Sequence, residues 1–554
     1  MTELEKLEFD IRGMTCDSCE IHVEKALKSV KGVTDVDVPG WKSNQASVVV
    51  NAGVDADELS QAVNDAGYSA TIKTRKSLDA AEGSNDRGGS GFDLMVIGGG
   101  SAGFAAAIKG ADLGYKVALV EGSTIGGTCV NVGCIPSKTL IRSMEHFHNA
   151  GEQPFRGVNT TAGHLSWPRV IDHKDELVED MRKAKYTDVL EAYPEITYIQ
   201  GYARLIGGNG VEIDGQAYAP GKIVIATGAR PWAPLIPGLS EAGYLDSTAA
   251  LDLRELPKSM LVLGANAVGL ELAQTYARAG TKVTVIELMP RIAPFEDEEI
   301  SAALDDYLSE EGLQIIAGFQ TSKVERRDGR FILSGTQDNA EMSFEAEQLL
   351  VATGRRANTE GFGLDEAGIN LGKRGEIIVD DQLRTSNPDV FAAGDVTGRD
   401  MFVYVAAYGG QLAVENALNG EGEVYDSSYI AKITFTDPQV ASAGMTEAHA
   451  IEKGYEVKVS SIGMEYVPRA LAARDTRGLI KLVADTETDR LLGVHILAPE
   501  AGEVIQTAVL ALRFGLTVTQ LRETMFPYLT NAEGLKLAVL AFERDVAMLS
   551  CCAG

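Results

Sequence analysis

The chain has 554 residues, room for three or four domains at roughly 150 residues each. With 45% apolar and 23% charged residues it has an ordinary globular balance, which argues against wholesale disorder. A net charge of −29, from 50 Lys plus Arg against 79 Asp plus Glu, turns the chain away from nucleic-acid phosphates and anionic lipid. The opening MTELEKLEFD lacks the basic-then-apolar order of a secretory leader, and no apolar run approaches a membrane span. The expectation is a soluble cytoplasmic protein with no nucleic-acid partner and no membrane insertion. Six cysteines stand in three close pairs, Cys16/Cys19, Cys129/Cys134 and Cys551/Cys552. Close pairs in an intracellular chain point to metal or redox work and not to a disulfide framework.

In chain order, residues 4–73 alternate short elements. LEFDI predicts a strand, and the apolar spacing from Ser18 to Lys31 predicts a helix. VTDVDV and ASVVV predict strands, Asp55 to Ala66 a second helix, and YSATI a last strand. The order βαββαβ is the ferredoxin-like motif. Residues 74–91, TRKSLDAAEGSNDRGGSG, have no apolar period and are expected to be a flexible linker with a mean span of about 25 Å.

One pattern then occurs twice. FDLMVIGGGSAGFAAAIKGADLGYKVALVEG reads as strand, glycine turn, helix, strand and acid, and SMLVLGANAVGLELAQTYARAGTKVTVIELM repeats it. Glu121 follows Gly98 at the same spacing as Glu287 follows Gly264. A lone GxGxxG is weak, but two in matching context predict two Rossmann-type sites, each with a helix N-terminus for a pyrophosphate and an acid for a ribose hydroxyl. Two dinucleotides suggest FAD and a nicotinamide, with hydride passing between them. KIVIATGARP and QLLVATGRRAN suggest crossovers between domains. TSNPDVFAAGDVTG ends a strand on Asp395, whose carboxylate can accept hydrogen bonds from a ribityl chain. Beyond about Ser428 come strands such as ITFTDPQVASAGM and GLIKLVAD, then helices.

GGTCVNVGCIPSK, residues 126–138, follows the first unit closely, and from Phe92 onward the chain resembles the pyridine nucleotide–disulfide oxidoreductases. The resemblance implies that Cys134 is the thiolate beside the flavin, that Cys129 is the outer, exchanging thiol, and that Lys138 and Glu271 form an ion pair near the flavin. A structural disulfide between Cys129 and Cys134 is the bland alternative. The implied flavin contacts are Gly98, Gly100, Ser101, Ala102, Gly103, Glu121, Gly127, Thr128, Lys138, Thr227, Gly228 and Asp395. Those implied for NADH or NADPH are Gly264, Gly269, Glu287 and Gly354. Glu287 would repel a 2′-phosphate, which Arg291 could partly offset, and Asn266 replaces the second fingerprint glycine. NADH is therefore favoured over the NADPH usual in such enzymes.

Family members that cleave disulfide substrates carry a His-Pro near the C-terminus as a general acid–base. Here MFPYLTNAEG places Phe526 at that position. GMTCDSC resembles heavy-metal-associated domains, with a thioredoxin-like redox motif or half of a zinc site as competing readings of the CxxC. LSCCAG adds adjacent soft ligands on a terminal tail. Three thiol pairs without a disulfide-cleaving acid suggest a soft thiophilic metal as electron acceptor. The layout, including FVYVAA, VPRALAARDTRG, APEAGE and FPYLT, resembles the mercury(II)-reducing branch of the family. That resemblance implies capture of Hg(II) on Cys16 and Cys19, then transfer through Cys551 and Cys552 of a homodimer partner to Cys129 and Cys134. It also implies that Tyr186 and Tyr528 position the metal, with Phe526 and Pro527 shaping the same wall. A dihydrolipoamide dehydrogenase fused to a metal-binding domain, or a copper or zinc carrier, are the rival readings.

The predicted fold class is α/β, with two Rossmann-type dinucleotide-binding domains, an α+β C-terminal dimerisation domain and the N-terminal ferredoxin-like domain. The expected boundaries are 1–73 for the metal-associated domain, 74–91 for the linker, 92–232 and 356–427 for the two parts of the FAD domain, 233–355 for the nicotinamide domain and 428–554 for the dimerisation domain.

Overall fold

A computed structural model of the chain describes residues 4–14, 17–38, 45–51, 53–77, 91–420 and 422–548. They fall into two compact units, one within 1–89 and the other within 90–554. Cys16, Cys551 and Cys552 lie outside the described residues. Among the described residues no helix is long and apolar enough to cross a membrane.

The first unit is a four-stranded antiparallel sheet in the order Val33–Asp37, Gln45–Asn51, Leu4–Arg12, Ser69–Ser77, with helices Asp17–Lys28 and Ala56–Asp65. Alternation drives Leu7, Phe9 and Ile11 of the long strand fully inside. They meet Cys19, Val23 and Leu27, which share one face of the first helix, and Leu59 and Val63 of the second. The last strand runs beyond the expected boundary, so residues 74–77 are paired strand and not linker: Thr74 lies opposite Glu8 and Ser77 opposite Glu5. The reason is cross-strand chemistry: the Thr74 hydroxyl donates to Glu8 at 3.0 Å, and Arg75 pairs with Glu5 at 2.6 Å.

The second unit holds two parallel sheets. The first has the order Val390–Ala392, Lys222–Ile225, Leu94–Ile97, Val117–Glu121, Ile196–Gln200. The second has the order Gln314–Ile316, Lys282–Ile286, Ser259–Leu263, Gln348–Val351. Helices cover such sheets, so the strands read as continuous apolar runs, as in LMVI, buried at all four positions. At the crossovers Ala229–Pro231 pairs antiparallel with Arg355–Ala357, and the Thr227 hydroxyl donates to the Asn358 carbonyl at 2.7 Å.

The C-terminal part is an antiparallel sheet in the order Ala431–Thr434, Gln439–Gly444, Leu491–Ala498, Leu479–Asp485, Val457–Gly463, packed on helices Ala501–Arg513 and Glu533–Leu540. ITFTDPQVASAGM, expected as one strand, is two strands joined by the loop Phe435–Pro438. Pro438 has no N–H to give a ladder. Asp437 is also drawn out of register by Arg278 and Arg477, each donating to its carboxylate at 2.8 Å.

Candidate active site

The two repeated units adopt one local geometry. In the first turn Gly98 has φ +112°, and a Cβ there would lie 2.3 Å from the Ala226 carbonyl oxygen. In the second, Gly264 has φ +106°, and its Cβ would lie 2.6 Å from the Ala352 oxygen. Both positions need glycine for backbone conformation and for space. One carboxylate oxygen of Glu121 accepts from Gly99 N–H and the other from Ser123 N–H, each at 2.7 Å. Glu287 repeats this with Ala265 and Met289 at 2.7 and 2.8 Å. Asn266 caps its helix in extended backbone, φ −106° and ψ −173°, which any residue adopts. Gly100 holds the same conformation, but a Cβ on Gly127 would lie 2.6 Å from the Gly100 Cα. The crowding in the first unit comes from the chain's own cysteine segment.

A cavity of about 1000 Å³ runs along this first turn, of the size that binding pockets for small molecules and cofactors span. Gly98, Gly100, Ser101, Ala102, Glu121, Gly127, Thr128, Lys138, Thr227, Gly228 and Asp395 line it, together with Cys129, Cys134 and Glu271. Gly103 and Gly269 stand behind the two turns: a Cβ on either would fall 1.8 or 2.0 Å from the Gly98 or Gly264 oxygen, so they set helix-to-strand approach. Gly264, Glu287 and Gly354 lie outside this cavity, at the second unit. The glycine turn, the helix N-terminus of Ser101–Asp112 and a polyol-accepting carboxylate at Asp395 fit a flavin dinucleotide. Burial raises the Asp395 pKa against the pull of Arg355, whose Nε lies 3.8 Å away.

Cys129 and Cys134 are thiols and not a disulfide. Cys129 lies in the short helix Gly127–Val132, and Cys134 opens the helix Cys134–Gly151. The Cys129 thiol donates to the Cys134 sulfur, which lowers the Cys134 pKa to about 7 against the cost of burial, and Lys138 lowers it further while Glu271 opposes. That same hydrogen bond, with burial, keeps Cys129 protonated well above the usual thiol range. Cys134 and Lys138 are i and i+4 on one helix face, and a helix N-terminus favours the thiolate. Lys138 Nζ donates to Glu271 at 2.7 Å, and the other Glu271 oxygen accepts from Phe435 N–H at 2.8 Å.

Tyr186 sits in a single turn of π-helix, Lys183–Thr187, of the kind found at functional positions. Its ring meets Phe104 edge-on at 4.8 Å, and burial, followed by the neighbouring thiols, raises its pKa against a hydrogen bond from Ser101. Tyr528, 58% exposed, does not line this cavity within its own chain. Phe526 is partly buried against the core of its own C-terminal domain beside Leu482, Leu521 and Leu535, and does not line the cavity that holds Cys129 and Cys134 of its own chain. Arg355 and Phe435 also line the cavity, though neither was expected there. The GRRAN stretch after the second ATG turn could have marked Arg355, but Phe435 carried no signal inside a segment read as continuous strand.

Residues 92–410 match the family described as pyridine nucleotide-disulphide oxidoreductase, 430–539 its dimerisation domain, and 8–69 the heavy-metal-associated domain. The chain is similar to a mercuric reductase of Bacillus cereus, 42% identical over 100% of this chain and 88% of that one. A mercuric reductase of Lysinibacillus sphaericus is 41% identical over 100% of both chains, and one of Streptomyces lividans 46% identical over 84% of this chain and 99% of that one. Among solved structures, the HOCl-induced flavoprotein disulfide reductase RclA from Escherichia coli is 31% identical with a TM-score of 0.72, covering 81% of this chain and 99% of its own. The fold, the cysteine pair and these full-length likenesses together show that the chain belongs to the pyridine nucleotide-disulphide oxidoreductase family, among its mercuric reductases, and carries a heavy-metal-associated domain at its N-terminal end.

Proposed function

We propose that this chain reduces mercury(II) to elemental mercury with two electrons from NADH or NADPH, as part of mercury detoxification in the cytoplasm. The observation that carries this reading is the dithiol at the cavity, with a depressed Cys134 pKa, in a chain that has Phe526 where disulfide-cleaving relatives place an acid. Bound in the cavity, FAD supplies the relay of two electrons between the nicotinamide and the thiol-held metal.

The residues divide the remaining work. Cys129, the outer thiol, exchanges with the incoming metal complex and loses its proton as its sulfur binds, and the inner Cys134 thiolate adds the second sulfur, giving the linear dithiolate that soft mercury(II) favours. Lys138, paired with Glu271, holds positive charge beside these sulfurs. Tyr186, hydrogen-bonded with Ser101 near the two thiols, and Tyr528 position the metal. Upstream, Cys16 and Cys19 capture mercury(II). Cys551 and Cys552 of the partner subunit accept the ion by thiol exchange and deliver it to Cys129 and Cys134, which makes the homodimer the working unit. The ion leaves after gaining two electrons because neutral mercury binds thiolate weakly.

NADH is the better cofactor. Glu287 is held at the mouth of the second turn by two backbone N–H groups, and the Arg291 guanidinium is tied to the carbonyls of Pro294 and Glu296, both at 3.0 Å. A 2′-phosphate therefore meets a fixed carboxylate without a ready cation. Glu287→Ala is expected to narrow the ratio of kcat/KM for NADH over NADPH several-fold, measured at saturating mercury(II); an equal or larger ratio rejects the assignment.

The deciding experiment is mercury(II)-dependent oxidation of each cofactor in excess thiol, with mercury vapour trapped. Vapour in step with cofactor loss supports the reading. Oxidation driven only by lipoamide or glutathione disulfide overturns it.

A further inference from the structure

The helix Ala267–Arg278 belongs to the nicotinamide unit, yet one face of it is fastened to the C-terminal domain. Glu271, Gln274 and Arg278 follow at helical spacing and all reach the loop Phe435–Pro438. Gln274 reads that loop's backbone in both directions: its side-chain oxygen accepts from Asp437 N–H and its amide donates to the Asp437 carbonyl, each at 2.8 Å. Arg278 donates to the Asp437 carboxylate at 2.8 Å from a buried position. Phe435, at the cavity end of the loop, touches both members of the ion pair. Its N–H donates to Glu271, and the Lys138 ammonium sits 4.6 Å from its ring centroid.

We propose that this loop is the positioning element of the Lys138–Glu271 pair, with Phe435 contacting both partners and Gln274 fixing the loop's backbone. It rests on the reading of that pair as part of the thiol site, and it means that the C-terminal domain sets the charge next to Cys134. Glu271 is buried, whereas the Lys138 side chain is 32% exposed, so Lys138 is the partner that moves when the loop loosens. Removal of the aromatic face or of the Gln274 bonds lets the ammonium drift towards solvent. The negative charge stays, and the Cys134 thiolate loses its stabilising cation.

The test is the pH dependence of iodoacetamide alkylation at Cys134 in the reduced full-length protein, with peptide fragmentation separating Cys134 from Cys129. Phe435→Leu, which keeps the N–H but removes the ring, is expected to raise the alkylation midpoint by about 0.5 pH or more, the order of a lost cation–π contact. Gln274→Met is expected to move it the same way, and Phe435→Tyr to restore the wild-type profile. Midpoints unchanged in both Phe435→Leu and Gln274→Met overturn the proposal, as does a Phe435→Tyr profile that follows Phe435→Leu. Should Phe435→Leu fail to fold, Gln274→Met against wild type decides alone. Because the readout needs neither mercury nor flavin, loss of the reductase reading leaves this result standing, and the reverse also holds.

Discussion

Cys134 and Lys138 are one helical turn apart, and that spacing converts a sequence feature into chemistry. The Cys129 hydrogen bond favours the Cys134 thiolate most, and the cation and the helix N-terminus add to it, while burial and Glu271 oppose it. The sign follows: the reactive form grows as pH rises through about 7 and is lost below it. Lys138→Met removes the cation and leaves the carboxylate, so the midpoint of Cys134 alkylation is expected to move up towards the ordinary thiol value of about 8.5. A midpoint that stays or falls would show that the ammonium does not act on this sulfur.

At the scale of the element, the repeated strand–turn–helix–strand shows which fingerprint positions are backbone requirements and which are local accidents. Gly103 and Gly269 are equivalent, each pressed on the carbonyl of the first fingerprint glycine. Their alanine variants separate the two units. Gly103→Ala is expected to cost about 1–3 kcal/mol by overpacking and to reduce flavin retention, read from bound-flavin absorbance after gel filtration. Gly269→Ala is expected to raise the KM for the nicotinamide cofactor and leave flavin content unchanged. Equal flavin loss in both variants would argue against the division of labour. Asn266 was legible as a departure from the motif but not as a tolerated one, because tolerance depends on its extended backbone and its exposed position.

At the scale of the whole molecule, Asp437 joins two domains of the second unit by bridging Arg278 and Arg477. Burial pushes its carboxyl up, but the two guanidinium groups outweigh this and hold it below its ordinary 3.8. A folded-state pKa below the unfolded value stabilises the fold fully above about pH 4, and the contribution is lost as pH falls through the folded value. Asp437→Asn strips charge from between two arginines and is expected to cost about 3 kcal/mol at neutral pH in denaturant unfolding. The deficit should shrink as pH drops below 4; a deficit constant across that range would mean that the charge is not what matters.

Local patterns determined much of this protein. Two strand–glycine–helix–strand–acid repeats, a CxxxxC segment and a βαββαβ order each depend on neighbours within about thirty residues, where period and turn chemistry control the outcome. The ion pair of Lys138 with Glu271 was legible only by resemblance, since 133 positions separate them. The meeting of Phe435 with that pair, the grip of Gln274 on Asp437 and the packing of Phe526 against the C-terminal core were decided by tertiary structure alone. Each depends on surfaces far apart in the chain, whose packing and buried charge balance override what the local segment prefers.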